Sequence, residues 1–181
     1  SNSIFINIEV TNNSAGDAGG IYCQNSTLYI NESNISNNQS YSNGSNNGGG
    51  GIRTENCNLI ISNSSISENI SNKSGGGIYC KNSSTSLENL TISDNTANLE
   101  GGGIKYHNSS FEIIETIIKG NSAIDTGGGI VINEDSNGDI SNCLFINNHS
   151  DVKAVHLRAH LQTRTLIIAP FTAIQLRMTV K

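Results

Sequence analysis

The chain has 181 residues, enough for one domain, with 35% hydrophobic residues and no tryptophan. Its formal net charge is −5 and its pI about 5.2, which argues against nucleic acid or an anionic membrane surface as partners. No stretch approaches the length that crosses a bilayer, no signal peptide opens the chain, and the first residue is not Met, so we read it as a piece of a longer secreted protein.

In chain order, a glycine-led motif recurs. Gly19-Gly20-Ile21-Tyr22-Cys23 is followed by Gly49-Gly50-Gly51-Ile52-Arg53-Thr54 and Gly75-Gly76-Gly77-Ile78-Tyr79-Cys80. Gly101-Gly102-Gly103-Ile104-Lys105-Tyr106 and Gly127-Gly128-Gly129-Ile130-Val131-Ile132 complete the series. The isoleucines stand 31, 26, 26 and 26 residues apart. A fixed period of this size signals a solenoid, propeller or array. The long first step is accounted for by about five extra Ser, Asn and Gly residues in 39–48, an insertion expected on a loop outside the core.

A second motif keeps the same phase. Seventeen residues after Ile21, Ile52, Ile78 and Ile104 come Asn38, Asn69, Asn95 and Asn121, each three residues after Ile35, Ile66, Ile92 and Ile118. Val10 with Asn13 is a partial earlier copy, and Phe145 with Asn148 a slightly stretched later one. Disorder has no reason to hold apolar residues in such phase, despite an Asn/Ser/Gly-rich composition that would otherwise suit it.

Within a coil the apolar residues alternate. Seven residues after each lead isoleucine come Leu28, Leu59, Thr85 and Phe111; nine after come Ile30, Ile61, Leu87 and Ile113. Spacing by two is strand spacing. The pattern predicts an all-β, single-stranded parallel β-helix over 1–150, with three short strands per coil and about 26 residues per coil. The general rule for parallel crossovers makes it right-handed. Helical repeats are excluded by the glycines and asparagines, and a propeller blade needs about 40 residues.

The glycines Gly20, Gly51, Gly77, Gly103 and Gly129 precede a sharp turn. No helix start or Gly-Lys-Ser/Thr follows them, so a phosphate loop is not indicated. Asn13, Asn38, Asn69, Asn95, Asn121 and Asn148 predict an amide ladder between coils, the alternative being a row of ligand-binding amides. Cys23 and Cys80 share a column two coils apart, about 9.6 Å, too far for a disulfide. Cys57 and Cys143 fall in other columns, so all four are expected as buried free thiols. His107 and His149 are isolated, and no cluster has metal-ligand spacing. The sequons at Asn25, Asn63 and Asn82 arise by composition. The outward column Tyr22, Arg53, Tyr79, Lys105, Val131 lacks the threonine array that ice binding wants.

After His149 the pattern breaks. The last Asn is Asn148, the last Gly is Gly138, and five of the ten Lys/Arg lie in 153–181. Shifting the reading frame can restore Gly-Gly-Ala-Leu over 153–157 and Asn-Cys-Thr-Ile-Tyr-Ser-Asn over 167–174, with Leu, Ile and Asn in the phase the repeat requires. The expectation is that 151–181 is a frameshifted continuation of the repeats; a real basic segment is the alternative.

Gly-Gly-Gly-Ile alternating with Phe145-Ile-Asn-Asn148 resembles the repeats of chlamydial polymorphic outer membrane proteins, over 10–148. That family alternates Gly-Gly-Ala-Ile/Leu with Phe-x-x-Asn; here Ile replaces most Phe, and a third Gly replaces Ala. Similar repeats occur in extracellular right-handed β-helix proteins of the pectin-lyase-like fold. The resemblance implies a surface-exposed autotransporter passenger region acting as an adhesin. Its expected partners are an unidentified surface ligand, a glycan or host protein, and neighbouring coils of a longer chain, with no insertion of this segment into the membrane. No autotransporter barrel is present here. The competing expectation is a polysaccharide lyase or glycoside hydrolase, which needs convergent carboxylates or Arg with Ca²⁺. Asp17, Asp94, Asp125 and Asp139 are scattered across turns, and Glu115 is close to Glu112 but recurs in no neighbouring coil. Two carboxylates on one face would reopen that reading. No catalytic, cofactor-binding or metal set is otherwise indicated.

Overall fold

The computed structural model describes residues 1–41, 48–133 and 135–152, together with the tail strands Val155–Leu157, Leu166–Ile168 and Ile174–Leu176. The described residues are all-β, without a helix, and stack as about five turns of a parallel solenoid with about 26 residues per turn. The coil beginning at Ile78 shows the unit. Its strands are Ile78–Lys81, Ser84–Glu88, Thr91–Ser93 and Thr96–Ala97. Each pairs in parallel with its counterparts one coil before and after, giving four sheets of seven, six, seven and six strands. We call them the lead, second, third and fourth sheets.

The three expected strands per coil are present, and a fourth of two residues follows each ladder asparagine. Two residues cannot display alternation, which is why the pattern hid it. Its inward positions are small: Ser40, Ser71, Ala97 and Ala123 are buried.

Register follows the sequence columns. Ile52, Ile78, Ile104 and Ile130 stand opposite one another, as do Ile35, Ile66, Ile92, Ile118 and Phe145. All nine are fully buried. Every methylene on these ladders is out of water, at roughly 0.8 kcal/mol each. Tyr106 and Phe111 stack at 4.5 Å between centroids within the same core, and the Tyr106 hydroxyl meets Thr85 at 3.1 Å.

Most of the insertion, residues 42–47, lies outside the described residues, and its flanks keep register. Gln39 and Ser40 pair with Ile70 and Ser71, and Gly48 bridges Ser74. Residues 41–47 therefore span what 72–73 span in the next coil, so the extra length leaves the register untouched. In the tail, Leu157 stands opposite Ile132, and Ile167 opposite Leu144. The frameshift expectation also turns on 153–154, 158–165 and 169–173, which lie outside the described residues.

Three corners bend each coil. In the coil of Ile78 they are Asn82, Asn89 and Asp94, all with left-handed φ of 48–56°. The same columns hold Asn25, Asn56 and Asn108; Glu32, Asn63, Glu115 and Asn142; and Asn37, Glu68 and Asn147. Asn adopts this region several-fold more readily than most residues. The asparagine richness of the chain is thus in good part a corner requirement.

Core ladder and corner positions should respond differently to charge. Ile92→Asp puts an unpaired carboxylate into a fully buried column and should cost about 4 kcal/mol or more. Asn82→Asp alters an exposed corner and should stay within about 0.5 kcal/mol. Urea denaturation of the two variants reads the difference; equal midpoints would refute the column assignment.

Candidate functional site

The two halves of the repeat meet at one place in the coil. Asn95 shows how. Its Oδ1 accepts from both the backbone N–H (3.0 Å) and Nδ2 (3.0 Å) of Asn69. Its Nδ2 donates to the Ile66 carbonyl (2.9 Å) and to Asn121 Oδ1 (2.9 Å). Asn38, Asn69 and Asn121 repeat the pattern, Asn13 opens the ladder and Asn148 extends it. Asn38, Asn69, Asn95 and Asn121 are fully buried. An amide with two donors and two lone pairs is saturated here, so this row has nothing left for a ligand.

Glycine makes room for it. A Cβ on Gly77 would lie 3.1 Å from Asn95 Nδ2 and 2.7 Å from the Gly103 carbonyl. Gly20, Gly51, Gly103 and Gly129 sit equally close to Asn38, Asn69, Asn121 and Asn148. The glycine motif and the asparagine motif are therefore one contact seen twice.

Serine and threonine hydroxyls line the other two corners, a feature the sequence reading missed. Ser109 Oγ accepts from the Ser83 N–H at 3.1 Å and donates to the His107 carbonyl at 2.9 Å. Ser33, Ser64, Ser83 and Thr116 make the same pair of bonds, and Ser136 accepts from the Ser109 N–H. The signal was available: a hydroxyl residue five and twelve positions after most lead isoleucines. It also accounts for the sequons. Asn25, Asn63 and Asn82 are exposed left-handed corners, and Ser64 and Ser83 behind them are ladder hydroxyls.

The outward column of the lead sheet is largely roofed. Tyr22 is 43% exposed, but Arg53, Tyr79, Lys105 and Val131 are buried. The segment before each strand folds back over it. Gly75, with φ +66°, crosses so close that a Cβ would lie 2.7 Å from Tyr79 Cβ. Beneath this roof the Arg53 guanidinium lies between the rings of Tyr22 (5.3 Å) and Tyr79 (5.6 Å). It pairs with Glu55 at 3.3 Å, which also takes Lys81 Nζ at 2.9 Å and the Tyr22 hydroxyl at 3.0 Å. The Lys81 hydrogen bond, with smaller help from Tyr22 and Arg53, holds the Glu55 carboxyl below its ordinary range despite some burial. Burial pushes the Tyr79 hydroxyl up.

The cysteines correct the expectation of four free thiols. Cys23 and Cys57 form a disulfide with Cα atoms 6.4 Å apart. Comparing like columns missed it because the bond runs diagonally. Thr54 is the in-register partner of Cys23, and Cys57 comes three residues later, past the Asn56 corner, in a ladder-hydroxyl column. Cys80 and Cys143 are free and buried. Burial pushes the Cys80 thiol up to about 12 and raises that of Cys143 as well.

Two carboxylates do share a face. Glu112 and Asp139 stand opposite each other on the second sheet, both exposed. Their cross-strand surroundings are Ser86, Ser110, Asn137, Ile114 and Ser141. Asp17 and Asp94 lie in other coils, and Asp125 follows the fourth-sheet strand Ser122–Ala123 of the Glu112 coil. No group of three His, Cys, Asp or Glu among the described residues could hold a metal. His107 is exposed, and His149 pairs with Asp151 at 3.0 Å. Among the described residues, no helix is long and apolar enough to cross a membrane.

The ladder and the thiols each generate an expected outcome. Asn95→Asp replaces two donors with acceptors in a buried site and should destabilise by several kcal/mol. The buried carboxyl's pKa should rise above the unfolded value of about 4. The unfolded chain then gives up that proton first, so stability should fall from about pH 4 upward until the folded carboxyl titrates. Asn95→Ala should show no such added slope when melting is followed against pH. For the thiols, denatured unreduced protein should label at two cysteines and reduced protein at four, while native Cys80 resists alkylation at pH 8. Four labels before reduction would rule out the disulfide.

The model of the Chlamydia polymorphic membrane protein repeat matches residues 63–81. No curated protein matches the chain. No solved structure matches it. The matched span starts at the Asn63 corner, crosses Ile66 and Asn69, and ends on the glycines and lead strand of the next coil. It therefore holds one asparagine motif and one glycine motif, whose contact partners Gly51 and Asn95 lie before and after the matched span. The chain carries polymorphic membrane protein-type repeats, stacked as coils of a parallel β-helix.

Proposed function

We propose that this region is a surface-displayed passenger that acts as an adhesin, binding a glycan or a host-surface protein through its exposed columns. The single supporting observation is the repeat match within a solenoid whose ladder amides are spent on the fold. The repeat family is outer-membrane associated, which suits a surface-exposed repeat region. With the ladders saturated and much of the lead column roofed, recognition falls to what remains outside. Those positions are mostly small, uncharged and polar: Asn58, Ser84, Ser110 and Asn137 on the second sheet, and Asn56, Asn82 and Asn108 at one corner. Repeated at the strand spacing of about 4.8 Å, they offer hydrogen bonds without a strong charge preference. Tyr29 and Tyr41 add exposed rings of the kind that anchor interfaces.

An enzyme reading would have to be carried by Glu112 and Asp139, the carboxylates that face each other on the second sheet. Incubating the chain with pectic and other polysaccharides, and following reducing ends, tests it.

For adhesion, beads coated with the chain should bind epithelial cells saturably, and soluble chain should compete. Tyr29→Ser with Tyr41→Ser should weaken binding by about tenfold while the melting transition is kept. Binding no greater than that of beads bearing an unrelated β-solenoid would sink the proposal.

A further inference from the structure

Lys105 lies under the roof of the lead sheet with a side chain only 4% exposed. Register explains its company. Lys105 pairs with Val131 and Tyr106 with Ile132, so Lys105 and His107 share the outward face with Val131 and Asn133 of the next coil. Lys105 Nζ donates to Asn133 Oδ1 at 2.9 Å. It also contacts Glu100 Oε2, brought in by the roof strand whose Glu100 bridges Thr126. The other end of the Asn133 amide is held as well, with Nδ2 3.3 Å from His107 Nδ1. A buried amine, an amide carbonyl fixed against it and a carboxylate on the same amine are thus assembled from two coils and the roof.

We propose that Lys105 and Asn133 react to form an intramolecular isopeptide bond, with Glu100 as proton carrier. Glu100 takes a proton from the Lys105 ammonium, leaving a free amine lone pair. Nζ attacks Asn133 Cγ, and the carbonyl oxygen takes up the displaced electron pair with the Glu100 proton. The tetrahedral centre collapses, the Cγ–Nδ2 bond breaks, and Nδ2 leaves as ammonium, carrying the one proton given up by Nζ and the one given up by the hydroxyl. Ammonium is the by-product, Glu100 ends as a carboxylate, and no oxidant or cofactor is consumed. Burial supports the first step, since it holds the Lys105 pKa below the ordinary lysine value against the opposing pull of Glu100 and Asp125. Fixed geometry supports the second, because a held pair reacts as if at very high concentration. The product would staple adjacent coils through the lead sheet, as Cys23–Cys57 staples two coils nearer the N-terminus.

Mass spectrometry of the whole 181-residue chain tests this. After reduction of the Cys23–Cys57 disulfide, the wild type should weigh one ammonia less than its sequence. A digest should contain one branched species joining the peptides of Lys105 and Asn133, with no tryptic cleavage after Lys105. Succinimide formation at Asn137-Gly138 gives the same mass loss but joins nothing, so the branched peptide decides. Lys105→Met and Asn133→Ala should restore the full mass. Glu100→Gln should cut the branched species at least tenfold with an unchanged circular dichroism spectrum. A full-mass wild type with a free Lys105 peptide, taken from protein with a β-type spectrum, would reduce the contact to an ion pair and overturn the proposal. Undiminished branching in Glu100→Gln would overturn the role of Glu100.

Discussion

The backbone N–H at each corner is the group on which this solenoid depends. Between corners, N–H and C=O pair with the coils above and below as in any parallel sheet. At a corner the left-handed residue still pairs: the Asn82 N–H reaches the His107 carbonyl at 3.0 Å. The next N–H is turned away from every carbonyl and would be a buried orphan, at about 1–3 kcal/mol. A side-chain oxygen from the following coil rescues it. Ser83 receives Ser109 Oγ, Leu90 receives Thr116 Oγ1, and Asn95 receives Asn121 Oδ1. The three corners solve one problem with three acceptors.

Asparagine does more than the other two because it donates to other coils. A serine hydroxyl closes onto its own strand, two residues back. The Asn95 amide reaches the coil before it, at Ile66, and the coil after it, at Asn121. One side chain therefore ties three coils, and it needs its full width beside the chain. Gly77 provides that width. This is why each contact glycine stands eighteen residues before its asparagine from Gly20 and Asn38 to Gly103 and Asn121, while 41–47 can lengthen. The separation spans a contact; the insertion spans only a bridge.

How much of this could be read from the chain depended on whether a feature repeats within a column. Ile78, Ile92 and Asn95 recur coil after coil, so the core, the ladder and the repeat family were legible before any coordinates. The serine acceptors recur too, but with Cys57, Leu90 and Cys143 interrupting their columns, and in a serine-rich chain they looked like composition. The disulfide is diagonal, from the lead strand of one coil to the corner of the next, so no column contains it. The fourth sheet has strands too short to alternate. The roof over Arg53, Tyr79 and Lys105 was unreadable for another reason. Alternation tells which way a side chain points from its own strand, not whether another segment returns to cover it.

That roof gives the coil one side unlike the others. Across the second and third sheets, outward residues are mostly small and polar, and nothing covers Ser84 or Ser110. Along the lead sheet the same chain buries Arg53 between two tyrosines, and Lys105 with Glu100 and Asn133. Buried charges of this kind are seldom a net gain in stability over apolar packing, because desolvation offsets the attraction. They are also the least periodic residues of the repeat: Tyr22, Arg53, Tyr79, Lys105 and Val131 share a column and almost no chemistry. The ladders must be the same in every coil for the coils to stack, whereas this column only has to fit under its own stretch of roof. Individuality in such a solenoid therefore gathers at the roofed edge, and coil-specific chemistry of the Lys105 kind arises there.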